Sequence, residues 1–465
     1  MRAATQILVI GGGPAGSTAA GLLAKQGFAV TLLERDSFPR YHIGESILPS
    51  CRPIFEQLGV WDKIEAHGFQ PKGGAYFFWG PDEWQVVFGE LGADGSNAWQ
   101  VVRSEFDKIL LDHARELGVD VHEETAVKEL EFVEGRPVAA SWAGKNGEQG
   151  RITFDYLIDA SGRGGVLSMK YLKSRKMHNV FRNVASWTYW KNAKPLDRGP
   201  AGSITVASVS DGWFWAIPLH DGTTSVGLVT GRDNFNAKRA ELGSIDALYF
   251  QALDECPSVR KMVAGAEQVA GFKTEQDYSY AAESFTGPGY LLCGDAACFL
   301  DPLLSTGVHL ATYSALLAAA AIGTVLRGDV AEDEAWGFFD TVYRESYERL
   351  LVLVSVFYES YRGKDYHFYN AQQLSQEDRD TLDLQSSFDR IITGIADLKD
   401  AEDVYRRVRQ HLGGAESGNP NPLANLNKEH ELKRAPVDAQ RAVAGLYLSY
   451  APLELRRATV PATSS

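Results

Sequence analysis

The first 34 residues restrict the possible fold most strongly. The apolar, β-branched run Gln6–Ile10 indicates a buried strand, and it leads into GGGPAG at 11–16. A helix pattern from Ser17 to Gln26 follows, and a second strand over Phe28–Leu33 ends at Glu34. Glycines here let the backbone approach a pyrophosphate, the helix N-terminus stabilises its charge, and the acidic residue accepts hydrogen bonds from ribose hydroxyls. The β-α-β unit therefore predicts a dinucleotide-binding domain.

Only one such glycine fingerprint occurs in the 465 residues. A flavoprotein reductase that binds a nicotinamide through its own Rossmann domain normally has two, so we expect one dinucleotide cofactor. The length favours about two domains or one composite domain. A net charge of −14 argues against a nucleic-acid-binding protein, which would have a basic face.

Later motifs extend this interpretation. Arg103 precedes an amphipathic helix over Ser104–Leu117, with Ser104 expected as the N-cap. Strands over Ala185–Trp190, Ser203–Val209, Trp213–Pro218 and Thr224–Thr230 have alternating or aromatic character, which favours an antiparallel sheet. A strand ending in Gly294-Asp295 then leads through a short loop into an Ala-rich helix. This order is that of FAD-binding folds of the aromatic-hydroxylase type, with the ring system between the first domain and the antiparallel sheet.

The predicted fold class is thus α/β, or more fully an α+β composite. We expect a Rossmann-like FAD-binding domain over 1–180 and 285–330 and an antiparallel-sheet substrate domain over 60–100 and 181–284. Residues 331–465 form the third region, predicted to be mainly helical up to about 412. Its last part is expected to hold a loop over Gly413–Asn427, one more short helix and a polar tail over Ala458–Ser465.

Two features bear on location. Val308–Leu326 is long enough to span a membrane, but its alanines and its polar residues favour a buried helix of a cytoplasmic protein. The four cysteines, which are Cys51, Cys256, Cys293 and Cys298, lack metal-type pairing. We expect them to be reduced and buried, and we expect no metal site and no membrane or nucleic-acid partner.

Two further features concern the substrate. In WFWAIP at 213–218, Trp213, Trp215 and Ile217 share one strand face, so they are expected to line one wall of a cavity. Lys72 lies just before a strand pattern. If it points into a closed cavity, burial lowers the pKa of its amine and makes it a nucleophile or hydrogen-bond donor.

Together these motifs resemble the flavin-dependent halogenases, in particular those acting on phenols and pyrroles, over roughly residues 5–360. The resemblance rests on GGGPAG at 11–16, GES at 44–46, Lys72 in FQPKGGA, WFWAIP at 213–218 and GDAACFLDPLLSTG at 294–307. It implies that FAD is used in its reduced form, FADH2, and that chloride or bromide is the co-substrate. Hypohalous acid would form beside the flavin and travel to the lysine, where an electron-rich ring attacks the halogen.

The resemblance also implies roles for individual residues. Lys72 is the expected catalytic residue, and Thr306 and Gly307 the expected halide site. The expected cofactor-binding residues are Gly11, Gly13, Ala15, Gly16, Glu34, Arg35, Ser46, Arg103, Asp295, Pro302 and Gly307. The expected tunnel or substrate wall comprises Trp213, Trp215, Ile217, Pro218 and Leu304.

One departure concerns the substrate. Members that halogenate tryptophan have a glutamate directly before the Ser-Thr-Gly, where this chain has Leu304. The substitution favours a phenolic or pyrrolic ring, free or tethered to a carrier protein, over an indole. A phenol needs a base, for which His309 is a weak candidate because it is better explained as a packing residue.

The implied partners are a separate flavin reductase and an aromatic small molecule. The basic cluster Lys170, Lys173, Arg175 and Lys176 is either a solvated face or a docking site for an acidic carrier protein. Two alternatives to halogenation stay open, namely an FAD-dependent aromatic monooxygenase or related flavin reductase, and a catalytically silent flavoprotein.

Overall fold

In a computed structural model, the chain is described over residues 1–88, 98–359 and 436–458. The helices are Pro14–Lys25 (α1), Arg52–Leu58 (α2), Trp61–His67 (α3), Arg103–Glu116 (α4), Arg232–Leu242 (α5), Ile245–Asp254 (α6), Pro257–Val263 (α7), Gly307–Arg327 (α8) and Glu332–Glu359 (α9).

The strands are Ala4–Ile10 (β1), Val30–Leu33 (β2), Gln70–Lys72 (β3), Gly74–Trp79 (β4), Asp82–Val87 (β5), Ala98–Gln100 (β6), Asp120–His122 (β7), Thr125–Val133 (β8), Arg136–Gly144 (β9), Gln149–Asp159 (β10), Arg175–Lys191 (β11), Ile204–Val209 (β12), Gly212–Pro218 (β13), Thr223–Gly231 (β14), Glu267–Gln268 (β15), Lys273–Ala282 (β16), Thr286–Gly287 (β17), Tyr290–Leu292 (β18), Cys298–Phe299 (β19), Leu446–Tyr450 (β20) and Leu453–Arg457 (β21).

The first sheet is built on the N-terminal β-α-β unit. Strands β18, β10, β1, β2 and β7 run parallel in that order, and β17 pairs antiparallel at the β18 edge. The β8–β9 hairpin extends from β10. Central strands of parallel sheets are covered on both faces, which explains why β1 and β2 read as continuous apolar runs.

The second sheet has the order β19-β16-β11-β14-β13-β12-β4-β5. Its neighbours are antiparallel except for β12 and β4, which run parallel. The α/β composite fold class is confirmed. Three short helices, α5 to α7, lie between β14 and β15, where the sequence pattern predicts strands only.

Helix α8 lies inside the protein. It passes the length and hydropathy test for a membrane span, yet 94% of its most apolar 18-residue window is buried. It packs against α1, α9 and β21, and the backbone N–H of Leu455 donates to the Thr324 hydroxyl at 2.8 Å. The expectation of a buried core helix is confirmed, and all four cysteines are free and buried as predicted.

Two local predictions are wrong. Ser104 is not the cap of α4, which begins at Arg103 after Val102 and has no side-chain cap. Where one more short helix is predicted near the C-terminus, a single 3-10 turn at Ala439–Arg441 precedes the β20–β21 hairpin. The helical prediction for 360–412, the loop over Gly413–Asn427 and the tail after Ala458 fall outside the described residues.

Candidate active site

The carboxyl ends of β1, β2, β10 and β18 border a cavity of about 640 Å³. Strand β13 of the second sheet and the start of α8 also line it. Ligands of open α/β sheets bind at this edge, where loops and helix N-termini present free backbone groups. The volume lies in the range of cofactor and ligand sites.

Most of the site residues predicted from the sequence meet in this cavity. Its lining includes Gly11, Gly13, Ala15, Glu34, Arg35, Ser46, Arg103, Trp213, Trp215, Ile217, Asp295, Pro302, Thr306 and Gly307. Four predicted residues, Gly16, Lys72, Pro218 and Leu304, do not line it. Pro218 follows Ile217 on β13 and so points away from the wall, because side chains alternate along a strand.

The glycine loop is shaped for close backbone approach. Gly11 has φ +104°, and a Cβ atom there would lie 2.3 Å from the carbonyl oxygen of Ala160. A Cβ atom at Gly16 would lie 1.9 Å from the Gly11 carbonyl oxygen. Gly16 therefore permits packing of α1 on the loop, which explains why it does not line the cavity.

The same loop offers donors and charge to a pyrophosphate. Helix α1 begins after Gly13 without a side-chain cap, so its first N–H groups are available at the cavity. Glu34 accepts from the Gly12 N–H at 2.6 Å and fixes this turn. Arg40, which the sequence analysis did not single out, places a guanidinium nitrogen 3.3 Å from a Cβ built at Gly13.

Two buried hydroxyls support a polar ligand in the cavity. The Oγ of Ser46 and the Oγ1 of Thr306 are buried and have no hydrogen-bond partner among the residues that the structure describes. Both residues line the cavity. Buried polar groups are nearly always hydrogen-bonded, so these atoms fit a bound polar group. With the glycine loop and Glu34, they fit FAD.

The aromatic wall has the predicted alternation. Trp213, Trp215 and Ile217 line the cavity, whereas Phe214 and Ala216 lie in a separate core on the opposite face of the sheet. Gly227 on β14 lies opposite Trp215, and a Cβ atom there would lie 2.0 Å from the indole ring. The absence of a side chain at Gly227 therefore makes room for the Trp215 ring.

The loop before α8 is held by a buried carboxylate. Asp301 accepts from the Leu303 N–H at 2.9 Å, and the Tyr358 hydroxyl lies 3.2 Å from both of its oxygens. Tyr358 also accepts from the Trp213 indole N–H at 2.9 Å, so α9 links this loop to the aromatic wall.

The loop ends at the N-terminus of a long helix. Ser305 has φ +58°, and Thr306 precedes Gly307, the first residue of α8. No side chain caps this helix. Its free N–H groups and the positive end of its dipole therefore favour an anion at this point of the cavity.

Lys72 lies behind the cavity wall. Its side chain is 1% exposed, and its Nζ donates to the Ile47 carbonyl oxygen at 3.1 Å and lies 5.2 Å from the Phe88 ring centroid. Ile47 follows Ser46, which lines the cavity. Burial lowers the pKa of the Lys72 amine to about 7, so neutral and charged forms coexist near neutral pH.

Arg103 holds the loop at 43–46, which lines the cavity. Its Nε and Nη2 donate to the Asp107 carboxylate at 2.8 and 2.9 Å, and its Nη1 donates to the carbonyl oxygens of Ile43 and Gly44. All three nitrogens are therefore engaged within the protein. The geometry gives Arg103 a role in holding the loop that carries Glu45 and Ser46.

A hydrogen-bonded chain that the sequence motifs did not indicate borders the same cavity. Trp187 Nε1 donates to the Tyr41 hydroxyl at 2.6 Å, the Tyr41 and Tyr189 hydroxyls lie 2.9 Å apart, and Tyr189 donates to Glu45 Oε1 at 2.7 Å. Burial raises the pKa of the Glu45 carboxyl to about 7, although hydrogen bonds from Tyr189 and Ser225 lower it. Tyr41 and Glu45 lie more than 140 residues from Trp187 and Tyr189, so no local pattern reveals the chain.

His309, the weak candidate for a base, is a packing residue. It is 2% exposed, stacks on Tyr313 at 5.7 Å between ring centroids and does not line the cavity.

Comparisons with known proteins identify the family of the chain. The tryptophan halogenase family profile matches residues 6–97 and 93–406. Tryptophan 2-halogenase from Chondromyces crocatus is 44% identical over 421 residues, which is 88% of this chain and 80% of that protein. Sulochrin halogenase gedL from Aspergillus terreus is 39% identical over 424 residues, covering 86% of this chain and 76% of its own length.

A solved structure shows the same fold. The myxobacterial chondrochloren halogenase CndH, described as a variant of FAD-dependent halogenases, matches with a TM-score of 0.75 and 34% identity over 94% of this chain and 98% of that chain. These similarities favour halogenation over the monooxygenase or reductase alternative, and they agree with FAD as the cofactor. The chain belongs to the tryptophan halogenase family of flavin-dependent halogenases.

Proposed function

We propose that this enzyme uses FADH2, O2 and chloride or bromide to halogenate an electron-rich phenolic or pyrrolic ring, with Lys72 as the residue that presents hypohalous acid to the ring. FAD supplies the oxidation chemistry when it is bound in the cavity. The protein holds the halide, separates the oxidant from the ring and positions the lysine. The observation that carries the proposal is the buried Lys72, whose amine donates to the carbonyl oxygen of Ile47, the residue after the cavity-lining Ser46.

The surroundings of Lys72 suit this role. Among the described residues its amine donates one hydrogen bond, to the Ile47 carbonyl oxygen, which leaves its other N–H groups for a ligand. Because its pKa lies at about 7, a neutral amine is available for N–halogen bond formation, and the ammonium form is available for hydrogen bonding to hypohalous acid. Either form keeps the oxidant at one place.

The proposed halide site is the N-terminus of α8. Thr306 and Gly307 line the cavity, and the Thr306 hydroxyl is buried without a hydrogen-bond partner in the described part of the chain. An anion here would accept from free helix N–H groups and from this hydroxyl. The Asp301–Tyr358 contact holds the preceding loop in place.

The ring class rests on reactivity. Leu304 provides no carboxylate that could stabilise the positive charge that builds up on a weakly activated ring carbon, which favours phenols and pyrroles. Indole C2 is a second candidate because the relative from C. crocatus is named tryptophan 2-halogenase. That carbon belongs to the pyrrole half of indole. The indole candidate therefore presents the enzyme with the same kind of activated five-membered ring as the pyrrole candidate.

The partners are proposed on the same basis. A separate flavin reductase would supply FADH2. Of the basic cluster, Arg175 donates to the Arg163 carbonyl oxygen at 2.7 Å and lies 3.9 Å from the Tyr280 ring centroid, so it is directed into the protein. Lys176 pairs with Glu283 at 2.8 Å. Lys170 and Lys173 are exposed and are the remaining contacts for an acidic carrier protein.

The test is a halogenation assay with reductase, halide and a panel of phenols, pyrroles and tryptophan, free and carrier-bound, scored by product mass and isotope pattern. Lys72→Ala should lose at least about 100-fold in ring halogenation while FAD binding is unchanged. Lys128→Ala, at an exposed lysine of β8, is the control. Full halogenation by Lys72→Ala would contradict the lysine mechanism, and product from tryptophan alone would contradict the proposed ring class.

A further inference from the structure

Glu45 is the buried carboxylate of the cavity that the proposed function does not use. It is 3% exposed and lines the cavity between the glycine loop and the aromatic wall. It lies two residues before Ile47, whose carbonyl oxygen receives the Lys72 amine. A carboxylate buried at this place is costly unless it is hydrogen-bonded or protonated, so its retention calls for a role.

The hydrogen bonds of the chain that ends at Glu45 are donated toward the carboxylate. Tyr189 donates its only proton to Glu45, so in the 2.9 Å contact between the two phenols Tyr41 is the donor and Tyr189 the acceptor. Trp187, which has no acceptor, donates to Tyr41. The two hydrogen bonds between Tyr41 and Glu45 therefore both point inward to the carboxylate.

The outer end of the chain is accessible. Tyr41 is 48% exposed, and the Nζ of Lys273, an exposed residue, lies 4.3 Å from its ring centroid. Tyr189 is half-buried between Tyr41 and Glu45. The chain thus connects an accessible phenol to a carboxylate that solvent does not reach directly.

The reaction of the family consumes a proton in the cavity. Reduced FAD, O2, one halide ion and one proton give oxidised FAD, hypohalous acid and one water, in which the flavin is oxidised by two electrons and one halide becomes formally positive halogen. The halide enters as an anion without a proton. One proton per turnover must therefore pass from solvent to the reacting oxygen in the cavity.

We infer that Tyr41, Tyr189 and Glu45 form a proton relay that delivers this proton to the oxygen of O2 that leaves as water when the other oxygen becomes hypohalous acid. Each tyrosine receives a proton on its oxygen as it passes its own to the next group, so neither phenol ionises. Glu45 gives its proton to the reacting oxygen and is reprotonated through Tyr189. The inference rests on the proposed halide chemistry and adds Glu45 to its machinery.

The electrostatic surroundings agree with this role. The charged and titratable groups that face Glu45 are Arg103 from α4, Asp221 from the β13–β14 turn and Tyr189 from β11, with Tyr41 and Glu275 further along the chain. Arg103 is already engaged with Asp107, so Glu45 has no full counter-charge of its own. Burial outweighs the opposing effects and gives Glu45 a pKa of about 7, where a carboxyl group can both accept and release a proton near neutrality. Burial likewise raises the pKa of Tyr41 to about 12 and that of Tyr189 further, which keeps both phenols protonated.

The first experiment measures hypohalous acid itself with a soluble activated dione as trap, supplying FADH2, O2 and bromide and omitting any aromatic substrate. Glu45→Gln, which can still accept from Tyr189, should lower the rate at least about 100-fold, with O2 leaving as hydrogen peroxide. Tyr189→Phe should lower it about tenfold or more. Tyr447→Phe, at a tyrosine that does not line the cavity, should leave it unchanged. FAD affinity, measured by fluorescence, should stay within about twofold in all variants.

A second readout does not need turnover. In infrared difference spectra a carboxylic-acid C=O band should appear as the pH falls through about 7, shift in D2O and be absent from Glu45→Gln. Glu45→Ala supplied with formate should regain hypohalous acid formation, more strongly at lower pH, because formic acid replaces the lost proton donor.

The outcomes separate the relay from the function on which it rests. Wild-type protein that forms no hypohalous acid would overturn both. A Glu45→Gln variant that equals the wild type in rate and in coupling to O2 would overturn the relay alone. So would a variant whose FAD affinity falls as far as its rate, or a Glu45→Ala variant that formate does not rescue, because either result would make the network a structural brace.

Discussion

Replacing Lys72 with methionine should stabilise the protein at low pH and destabilise it at high pH. Methionine keeps the length and the apolar stem of lysine but removes the buried charge. In the folded protein burial lowers the pKa of Lys72 from 10.5 to about 7. This difference corresponds to about 5 kcal/mol that disfavours the folded state whenever the ammonium is present.

The pH window follows from proton binding. Between pH 7 and 10.5 the unfolded chain holds a proton on Lys72 that the folded protein has released, so the stability of the wild type rises with pH across this range. Below pH 7 both states hold the proton, and the full penalty is present. The methionine variant escapes the penalty but leaves the Ile47 carbonyl without its donor, which costs about 1–3 kcal/mol.

The expected free energy of unfolding for Lys72→Met is thus about 2–4 kcal/mol above that of the wild type at pH 6, and below it by about 1–3 kcal/mol near pH 10.5. Urea unfolding at half-unit pH intervals measures the difference, which should change by about 1.4 kcal/mol per pH unit between the limits. Lys128→Met, at an exposed lysine, controls for the general effect of removing a cation. A difference between wild type and Lys72→Met that does not depend on pH would refute the assignment of a charge-disfavouring site.

Two glycine substitutions test the cavity directly. Gly11→Ala places a methyl group 2.3 Å from the Ala160 carbonyl oxygen at a φ of +104°. FAD affinity, measured by equilibrium fluorescence titration, should therefore fall at least about tenfold. The control is Gly27→Ala, at φ +91° with open space around it, which should change stability but leave FAD affinity within about twofold. Gly227→Ala should push the Trp215 ring into the cavity, because a Cβ there lies 2.0 Å from it, and should raise KM for bulky rings more than for small ones in the halogenation assay; an equal effect on both would contradict the wall assignment.

Local patterns indicated residues that line the glycine-loop side and the aromatic wall of the cavity. The glycine loop, Glu34 and the alternation in WFWAIP depend on neighbours within a few residues, and the cavity lining contains most of them. The role of Arg103 was less well predicted. Its partner Asp107 lies one helical turn away, so an i,i+4 ion pair was already visible in the sequence.

The other features of the site depend on contacts between segments that are distant in the sequence. Glu45 and Tyr189 are 144 residues apart, and no periodicity links the 44–46 turn with β11. The sequence left open whether Lys72 is buried, and its position at the Ile47 carbonyl depends on the pairing of β3 with β6. Gly227 is an intermediate case, since the short connection between β13 and β14 at 219–222 fixes the register that places it opposite Trp215.

The contact between Gly227 and Trp215 also determines which of these two positions can be substituted first. Exchange of Trp215 for a smaller residue frees the space over position 227, after which a side chain there meets no indole. The reverse order fails, because a side chain at 227 collides with the ring while it is still present. Once position 227 has gained a side chain, the tryptophan cannot return, so a widened cavity should persist in its descendants. Relatives that lack the tryptophan should therefore be those in which position 227 varies.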